Sequence, residues 1–167
     1  MIEYQGQYIR VLKKGNWEFV ERTHSNEAVV ILAVNDRNEL VLVEQFRVPM
    51  NRSVIELPAG LLGDPGSTVG ESIEDAAKRE LLEETGYEAE QMELIIKGPP
   101  SSGLSSEMAL FYRAKNLKKV SEGGGVESEK ITVHEVPLSN VDAWLKQMKN
   151  EGKEIDIKVY AGLYFLR

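Results

Sequence analysis

Three glutamates, Glu80, Glu83 and Glu84, stand close together just ahead of Thr85 and Gly86. At 3.6 residues per turn they fall within an arc of about 100° on a helix. Like charges three and four residues apart cost roughly 0.2–0.5 kcal/mol per pair on an isolated helix, so the grouping asks for a compensating charge. A hard cation such as Mg²⁺ or Mn²⁺ would supply it, because it takes oxygen ligands and shares its remaining positions with water and substrate phosphates. Arg79 is a second source of positive charge, as the i,i+4 partner of Glu83. The competing explanation is a solvated acidic face, the ordinary fate of a glutamate-rich helix.

The elements that must position these side chains are signalled locally. Ser72 with Asp75 reads as a capping box and Gly86 as the left-handed residue after the last turn, which predicts a helix over 73–85. Ala76 and Ala77 keep the acidic stripe free of bulk, while Leu81 and Leu82 point toward a core. Strand patterns dominate elsewhere. Residues 8–12 and 17–23 flank Lys14-Gly15-Asn16 as an N-terminal hairpin, and 28–34 with 40–46 flank Asn35-Asp36-Arg37-Asn38 as a second one. Further strands are expected at 92–97, 109–114 and 131–136. Two helices close the chain, 141–150 after a Ser139/Asn140 cap and 157–166 after Asp156, the latter carrying Val159, Leu163 and Leu166 on one stripe. Mixed strands with helices on either side imply an α/β (α+β) sandwich. There is no internal repeat and no second-domain linker.

Composition narrows the function. The 167 residues suit one domain with a sizeable core. A net charge of −7 leaves no basic stripe for nucleic acid, so a phosphate substrate must be met through bound cations. The absence of cysteine excludes disulfides and thiolate metal sites. No apolar run approaches membrane-spanning length and the amino terminus lacks the build of a signal peptide, so a cytoplasmic protein with no membrane contact is expected. His24 and His134 are read as structural, since nothing pairs them with a nucleophile.

Glu71, Arg79-Glu80-Leu81, Glu83-Glu84 and Gly86-Tyr87 together resemble the second half of the signature of the Nudix hydrolases, enzymes that cleave nucleoside diphosphates linked to another moiety. Upstream, Glu56-Leu57-Pro58-Ala59-Gly60 is similar to the segment that opens this signature in the ADP-ribose pyrophosphatase branch. One departure is clear. Ten residues separate Gly60 from Glu71, five more than the family's spacing, so 61–70 with Gly63, Asp64, Pro65 and Gly66 reads as a lengthened surface loop.

The resemblance implies a Nudix-type fold, a mixed β-sheet between helices with an N-terminal hairpin arm, and two or three Mg²⁺ (or Mn²⁺) ions. It implies metal ligation by Glu80, Glu84 and the Ala59 carbonyl, with Glu83 as a third or outer ligand, and supporting roles for Arg79 and Glu71. In the acidic glycine-rich loop 122–129, Glu127 is the candidate general base and Glu129 a possible ligand, with the two roles exchangeable; the bland alternative is a solvated turn. Substrate contacts fall to Arg47, Glu56, Ser102, Gly103, Leu104 and Glu107. Arg47 suits a phosphate through two parallel hydrogen bonds, or else forms a strand-end salt bridge; Glu107 faces the metals or caps the next strand. Ser102 stands where relatives preferring ADP-ribose carry proline, which broadens the expected substrates to nucleoside diphosphate sugars. In the resembling branch the arm, here 1–24 of a single 1–167 domain, crosses between the subunits of a homodimer. Other readings are hydrolysis of dinucleoside polyphosphates or related nucleotides, a non-catalytic nucleotide-sugar sensor, and a purely structural cation site.

Overall fold

The computed structural model describes residues 1–63, 70–126 and 130–166. Asp64, Pro65 and Gly66 of the lengthened loop, and Glu127 and Glu129, lie outside the described residues. Among the described residues, eleven strands and three α-helices follow in the order β1 (Ile2–Gln5), β2 (Ile9–Lys14), β3 (Trp17–Arg22), β4 (Glu27–Ala33), β5 (Glu39–Arg47), β6 (Arg52–Glu56), β7 (Ala59–Leu61), α1 (Ile73–Thr85), β8 (Tyr87–Gly98), β9 (Met108–Lys119), β10 (Ile131–Pro137), α2 (Val141–Asn150), β11 (Glu154–Ile155) and α3 (Ile157–Tyr164). The strands form three sheets, ordered β1-β2-β3, β10-β5-β6-β11 and β7-β4-β9-β8. The second and third are mixed, β11 running parallel to β6 and β4 parallel to β9. This is the expected α/β (α+β) sandwich.

Consecutive apolar residues in β4 are buried on both faces, as a central strand requires. Val29, Ile31 and Ala33 pack with Ala77 and Leu81 of α1 and with Leu110 and Tyr112 of β9. Val30 and Leu32 face the opposite way, toward Leu40, Leu42 and Ile55 and toward Leu145 and Val159 of the two C-terminal helices. Two cores therefore sandwich β4, with α1 over one and α2 and α3 over the other.

The turn after β4 forms as expected: the Asn35 side chain accepts the Arg37 and Glu39 amides, both at 3.0 Å, and Asn38 is left-handed at φ 61°. The strands on either side do not form the expected hairpin. They meet at the single bridge Val34↔Leu40 and then diverge into different sheets. A continuous apolar run in sequence says that a strand is buried and nothing about which edge is paired; here β4 pairs with β7 and β9, and β5 with β10 and β6.

The N-terminal hairpin turns at Gly15 (φ 62°) and gains an unexpected third strand, β1. It joins the body where the Val20 amide donates to the Leu104 carbonyl at 2.9 Å, and its Ile2, Tyr4, Tyr8 and Trp17 are exposed. In α1, the Ser72 side chain accepts the Asp75 amide and Gly86 closes the helix at φ 74°, as the sequence predicts. In α2, Asn140 caps with no side-chain hydrogen bond; it belongs to a short 3₁₀ turn, 138–140, that leads into the helix. The last helix ends at Tyr164 because Phe165 and Leu166 donate to the Gly162 and Leu163 carbonyls, the tight i→i−3 pattern of a terminating turn. Among the described residues, no helix is long and apolar enough to cross a membrane.

Candidate active site

The first turns of chemistry sit where α1 meets β7. Glu80 and Glu84, one turn apart, are only 8% and 5% exposed. The Ala59 amide donates to Glu84 Oε2 at 3.0 Å. The Glu80 carboxylate occupies the space beside Gly60, where a Cβ would lie 2.0 Å from Glu80 Cδ; only glycine admits the carboxylate there. The short strand β7 is itself fixed by antiparallel pairing of Ala59 with Val30 in the centre of the sheet.

Arg79 gathers the neighbouring acids. Its Nη1 pairs with Glu80 Oε1 at 2.7 Å and with Glu83 Oε2 at 3.0 Å, while Nε reaches Glu71 Oε1 at 3.1 Å. Burial disfavours the guanidinium charge, yet the hydrogen bonds to Glu71 and Glu80 and the charges of both acids outweigh it and raise its pKa above the ordinary arginine value.

These residues open onto a cleft of about 260 Å³ whose walls carry four carboxylates, Glu56, Glu80, Glu84 and Glu107, and three cations, Arg22, Arg47 and Lys158. Arg47, at the end of β5, donates from Nε to both Glu56 oxygens at 3.1 Å. Burial opposes the Arg47 charge, but Glu56 and the charges of Glu84 and Asp156 raise its pKa. Arg22, at the end of β3, forms an ion pair with Glu107, the residue just before β9. Paired carboxylates beside arginines that can turn two donors to an anion are suited to a charged phosphate substrate.

A NUDIX domain is matched over residues 24–156. The chain belongs to the Nudix family. It is 38% identical over 123 residues to the methanol dehydrogenase activator of Bacillus methanolicus, a match covering 73% of this chain and 64% of that protein. Identity to the ADP-ribose pyrophosphatase of Bacillus subtilis (strain 168) is 38% over 114 residues, 68% of this chain and 59% of the other. Identity to the GDP-mannose pyrophosphatase of Yersinia pestis (strain Pestoides F) is 32% over 149 residues, 84% and 72% of the two chains. The matched stretch thus spans about three-fifths of the length of the first two relatives. A solved structure of an ADP compounds hydrolase superposes with a TM-score of 0.68 at 24% identity, covering 87% of this chain and 80% of that one, and so shares the fold.

Nudix hydrolases generally use divalent metals such as Mg²⁺, and the donor set suits a hard cation: two buried carboxylates, the Ala59-Gly60 backbone, and no thiolate or imidazole. Among the described residues, no three acidic or histidine side chains stand at metal-holding spacing; Glu80 is engaged by Arg79 and Glu84 by the Ala59 amide. Glu83 turns to Arg79, and Glu71 joins it there.

Of the expected substrate contacts, Arg47, Glu56 and Glu107 line the cleft. Ser102, Gly103 and Leu104 do not: they are exposed in a turn where Leu104 and Ser105 donate to the Ser101 carbonyl, and that turn faces the N-terminal sheet. Pro100 takes the place at the cleft instead. The roots of the loop bearing Glu127 and Glu129 are stitched to α1, with Gly124 and Gly125 donating to the Glu84 and Glu83 carbonyls at 2.9 and 3.0 Å. His134 contacts Glu44 at 3.0 Å and tilts against Trp144, away from the cleft. Two cleft residues carried no sequence signal. Arg22 meets an acid 85 positions away, and Lys158 sits in the first turn of an otherwise apolar helix.

Proposed function

We propose that this protein is a metal-dependent pyrophosphohydrolase of nucleoside diphosphate sugars such as ADP-ribose, releasing a nucleoside monophosphate and a sugar phosphate. It acts as a single Nudix domain, in the cytoplasm, as a homodimer through the arm at 1–24. The observation that supports this reading is the buried pair Glu80 and Glu84 seated against Ala59-Gly60 in a cleft that also carries Arg47. The relatives named ADP-ribose pyrophosphatase and GDP-mannose pyrophosphatase point the same way.

Glu80, Glu84 and the Ala59 carbonyl would hold Mg²⁺ or Mn²⁺. Such ions neutralise phosphate oxygens and lower the pKa of a bound water. Arg79 holds Glu80 and Glu83 in place, its Nη1 pairing with a carboxylate oxygen of each. Arg47 swings its two donors from Glu56 to a phosphate oxygen pair of the substrate. Glu127 accepts the proton of the attacking water, with Glu129 its exchangeable neighbour. The reaction needs no covalent intermediate.

Incubation with ADP-ribose or GDP-mannose and Mg²⁺, with products separated by chromatography, tests the reading. Appearance of AMP with ribose 5-phosphate, or of GMP with mannose 1-phosphate, supports it. No turnover on any nucleoside diphosphate sugar, with or without Mn²⁺, removes it. The relative named as an activator of methanol dehydrogenase favours a second reading, in which hydrolysis or nucleotide binding serves to modulate another enzyme; loss of that modulation in Glu84→Gln would separate a turnover-dependent role from a binding one.

A further inference from the structure

The chain that leaves β9 wraps the end of α1, and the first residue of β10 joins it there. The Val120 and Ser121 amides donate to the Gly86 carbonyl at 2.8 and 3.2 Å, Gly124 and Gly125 donate to the Glu84 and Glu83 carbonyls, and the Ile131 amide donates to the Gly124 carbonyl at 3.2 Å. The fit is close: a Cβ at Gly123 would stand 2.5 Å from the Thr85 carbonyl carbon. This collar of backbone holds two residues of the acidic turn by their own carbonyls, and one of them is the buried Glu84. A shift of the collar is therefore a shift of a cleft carboxylate.

The collar carries three consecutive glycines with positive φ, Gly123, Gly124 and Gly125, and glycine backbone is the costliest to order, so it must be held from its ends. One cluster holds both. Lys119, the last residue of β9, is the cross-strand partner of Tyr87, the first residue of β8, and its ammonium lies 5.4 Å from the centre of the Tyr87 ring. That ammonium pairs with Glu135 Oε1 in β10, and the Tyr87 hydroxyl donates to the same oxygen at 3.0 Å. Tyr87 is buried, with Asn35 donating to its hydroxyl at 3.3 Å. One carboxylate thus ties together the strand before the collar, the strand after it and the residue that follows Gly86. The other oxygen of Glu135 pairs with Arg37, whose remaining bonds go to Glu39 and Asn35 at the turn after β4.

We propose that Lys119 is a positioning residue for Glu84: by tying β9 to β10 through Glu135 it fixes the collar, and through the Glu83 and Glu84 carbonyls the collar fixes the acidic turn. At 36% side-chain exposure the Lys119 ion pair adds little to global stability. Its effect is local, on the opening of the collar, and local opening is read by amide exchange. The kinetic consequence rests on the hydrolase reading above; the exchange measurement does not.

Three variants of the full chain give the test. Lys119→Met keeps an unbranched stem over the Tyr87 ring and removes the ammonium; Lys119→Arg keeps the charge. Arg37→Met is the control, because it takes a cation from the other oxygen of the same carboxylate. In hydrogen exchange followed by NMR in EDTA, the Gly124 and Gly125 amides should exchange several-fold faster in Lys119→Met, with the amides of β4 unchanged. Both glycines should keep the wild-type rate in Lys119→Arg and Arg37→Met. With ADP-ribose and saturating Mg²⁺, Lys119→Met should lower kcat about tenfold, short of the hundredfold cost of a full 1 Å displacement, and leave KM unchanged, while the other two variants turn over as wild type. Unchanged exchange of Gly124 and Gly125 in Lys119→Met, the same acceleration in Arg37→Met, or a wild-type kcat in Lys119→Met overturns the proposal. If exchange follows the expected pattern and the wild-type chain hydrolyses no nucleoside diphosphate sugar, the hydrolase reading fails and Lys119 stands as the residue that positions Glu84.

Discussion

Replacing Gly60 with alanine isolates the position of one carboxylate. The backbone there has no left-handed requirement, so alanine adds only a methyl group, which would lie 2.0 Å from Glu80 Cδ and 2.3 Å from Oε1. Restoring an ordinary 3.4 Å contact moves the carboxylate by about 1.4 Å. The obstructing atoms are the end of a flexible side chain, so Glu80 yields and the sheet does not. Its cost is the 2.7 Å pairing with Arg79, roughly 1.5–3 kcal/mol for a charge-assisted bond. At about 2–4 °C per kcal/mol for a domain of this size, Tm falls by roughly 3–12 °C.

The effect on turnover is larger, because a misplacement of about 1 Å at a reacting centre costs on the order of a hundredfold. The assay is the initial rate of AMP release from ADP-ribose across a Mg²⁺ titration, beside thermal unfolding of the same sample. The expected result is a fall in kcat of about a hundredfold with a higher Mg²⁺ midpoint and a folded chain. A kcat within twofold of wild type at an unchanged midpoint would refute the link between the Gly60 seat and the chemistry. Gly86→Ala is the contrast: its Cβ would meet the Ser121 carbonyl oxygen at 2.0 Å at φ 74°, and two backbones cannot give way, so that variant should lose the fold itself.

Arg79→Ala strips the compensating charge from Glu71, Glu80 and Glu83 and should destabilise by roughly 3 kcal/mol, read as a Tm fall of about 6–12 °C; an unchanged Tm would mean that the acids are compensated elsewhere. Arg47→Lys replaces a two-donor fork with a point charge and should raise KM about tenfold with little change in kcat, which steady-state kinetics would show. Burial pushes the Glu135 carboxyl up, but hydrogen bonds from Lys119 and Tyr87 outweigh it and its pKa is lowered; Glu44 is lowered in the same way by Lys153 and His134. Because both titrate lower folded than unfolded, their stabilisation is complete above the ordinary value of about 4.5 and is lost as pH falls through the depressed values. Tm should therefore drop below pH about 4.5, and Glu135→Gln should flatten that acid limb; a wild-type limb in the variant would discard the account.

What the sequence makes legible is whatever is decided locally. Helix α1 is readable to the residue because its cap, its period and its terminating glycine sit within fifteen positions. Strands β6, β7 and β11 are not, since two to five residues carry too little pattern, and β11 exists only because β6 offers it an edge. The separation of β4 from β5 is invisible for a different reason: both runs are apolar enough to be central, and partner choice is made by the whole sheet. At the site, the acids of α1 announce themselves by spacing, whereas Arg22 and Lys158 become cleft residues only when β3 and α3 arrive beside β9 and β6.

The glycines explain why the acidic turn is where it is. Repulsion between Glu80 and Glu84 would be relieved if either side chain moved into solvent, yet both stay buried. Gly60 supplies the gap for one carboxylate, and the Ala59 amide holds the other. On the opposite side of the helix end, Gly123 lies so close to the backbone that a Cβ would stand 2.6 Å from the Glu84 carbonyl oxygen; its left-handed φ of 68° lets Gly124 and Gly125 bond the last carbonyls of α1. Backbone contacts thus grip the turn from both sides, beside the core packing of Ala77 and Leu81 and the pairing of Arg79. A site gripped in this way keeps its two carboxylates together, the arrangement the proposed cation would require, without the backbone having to move.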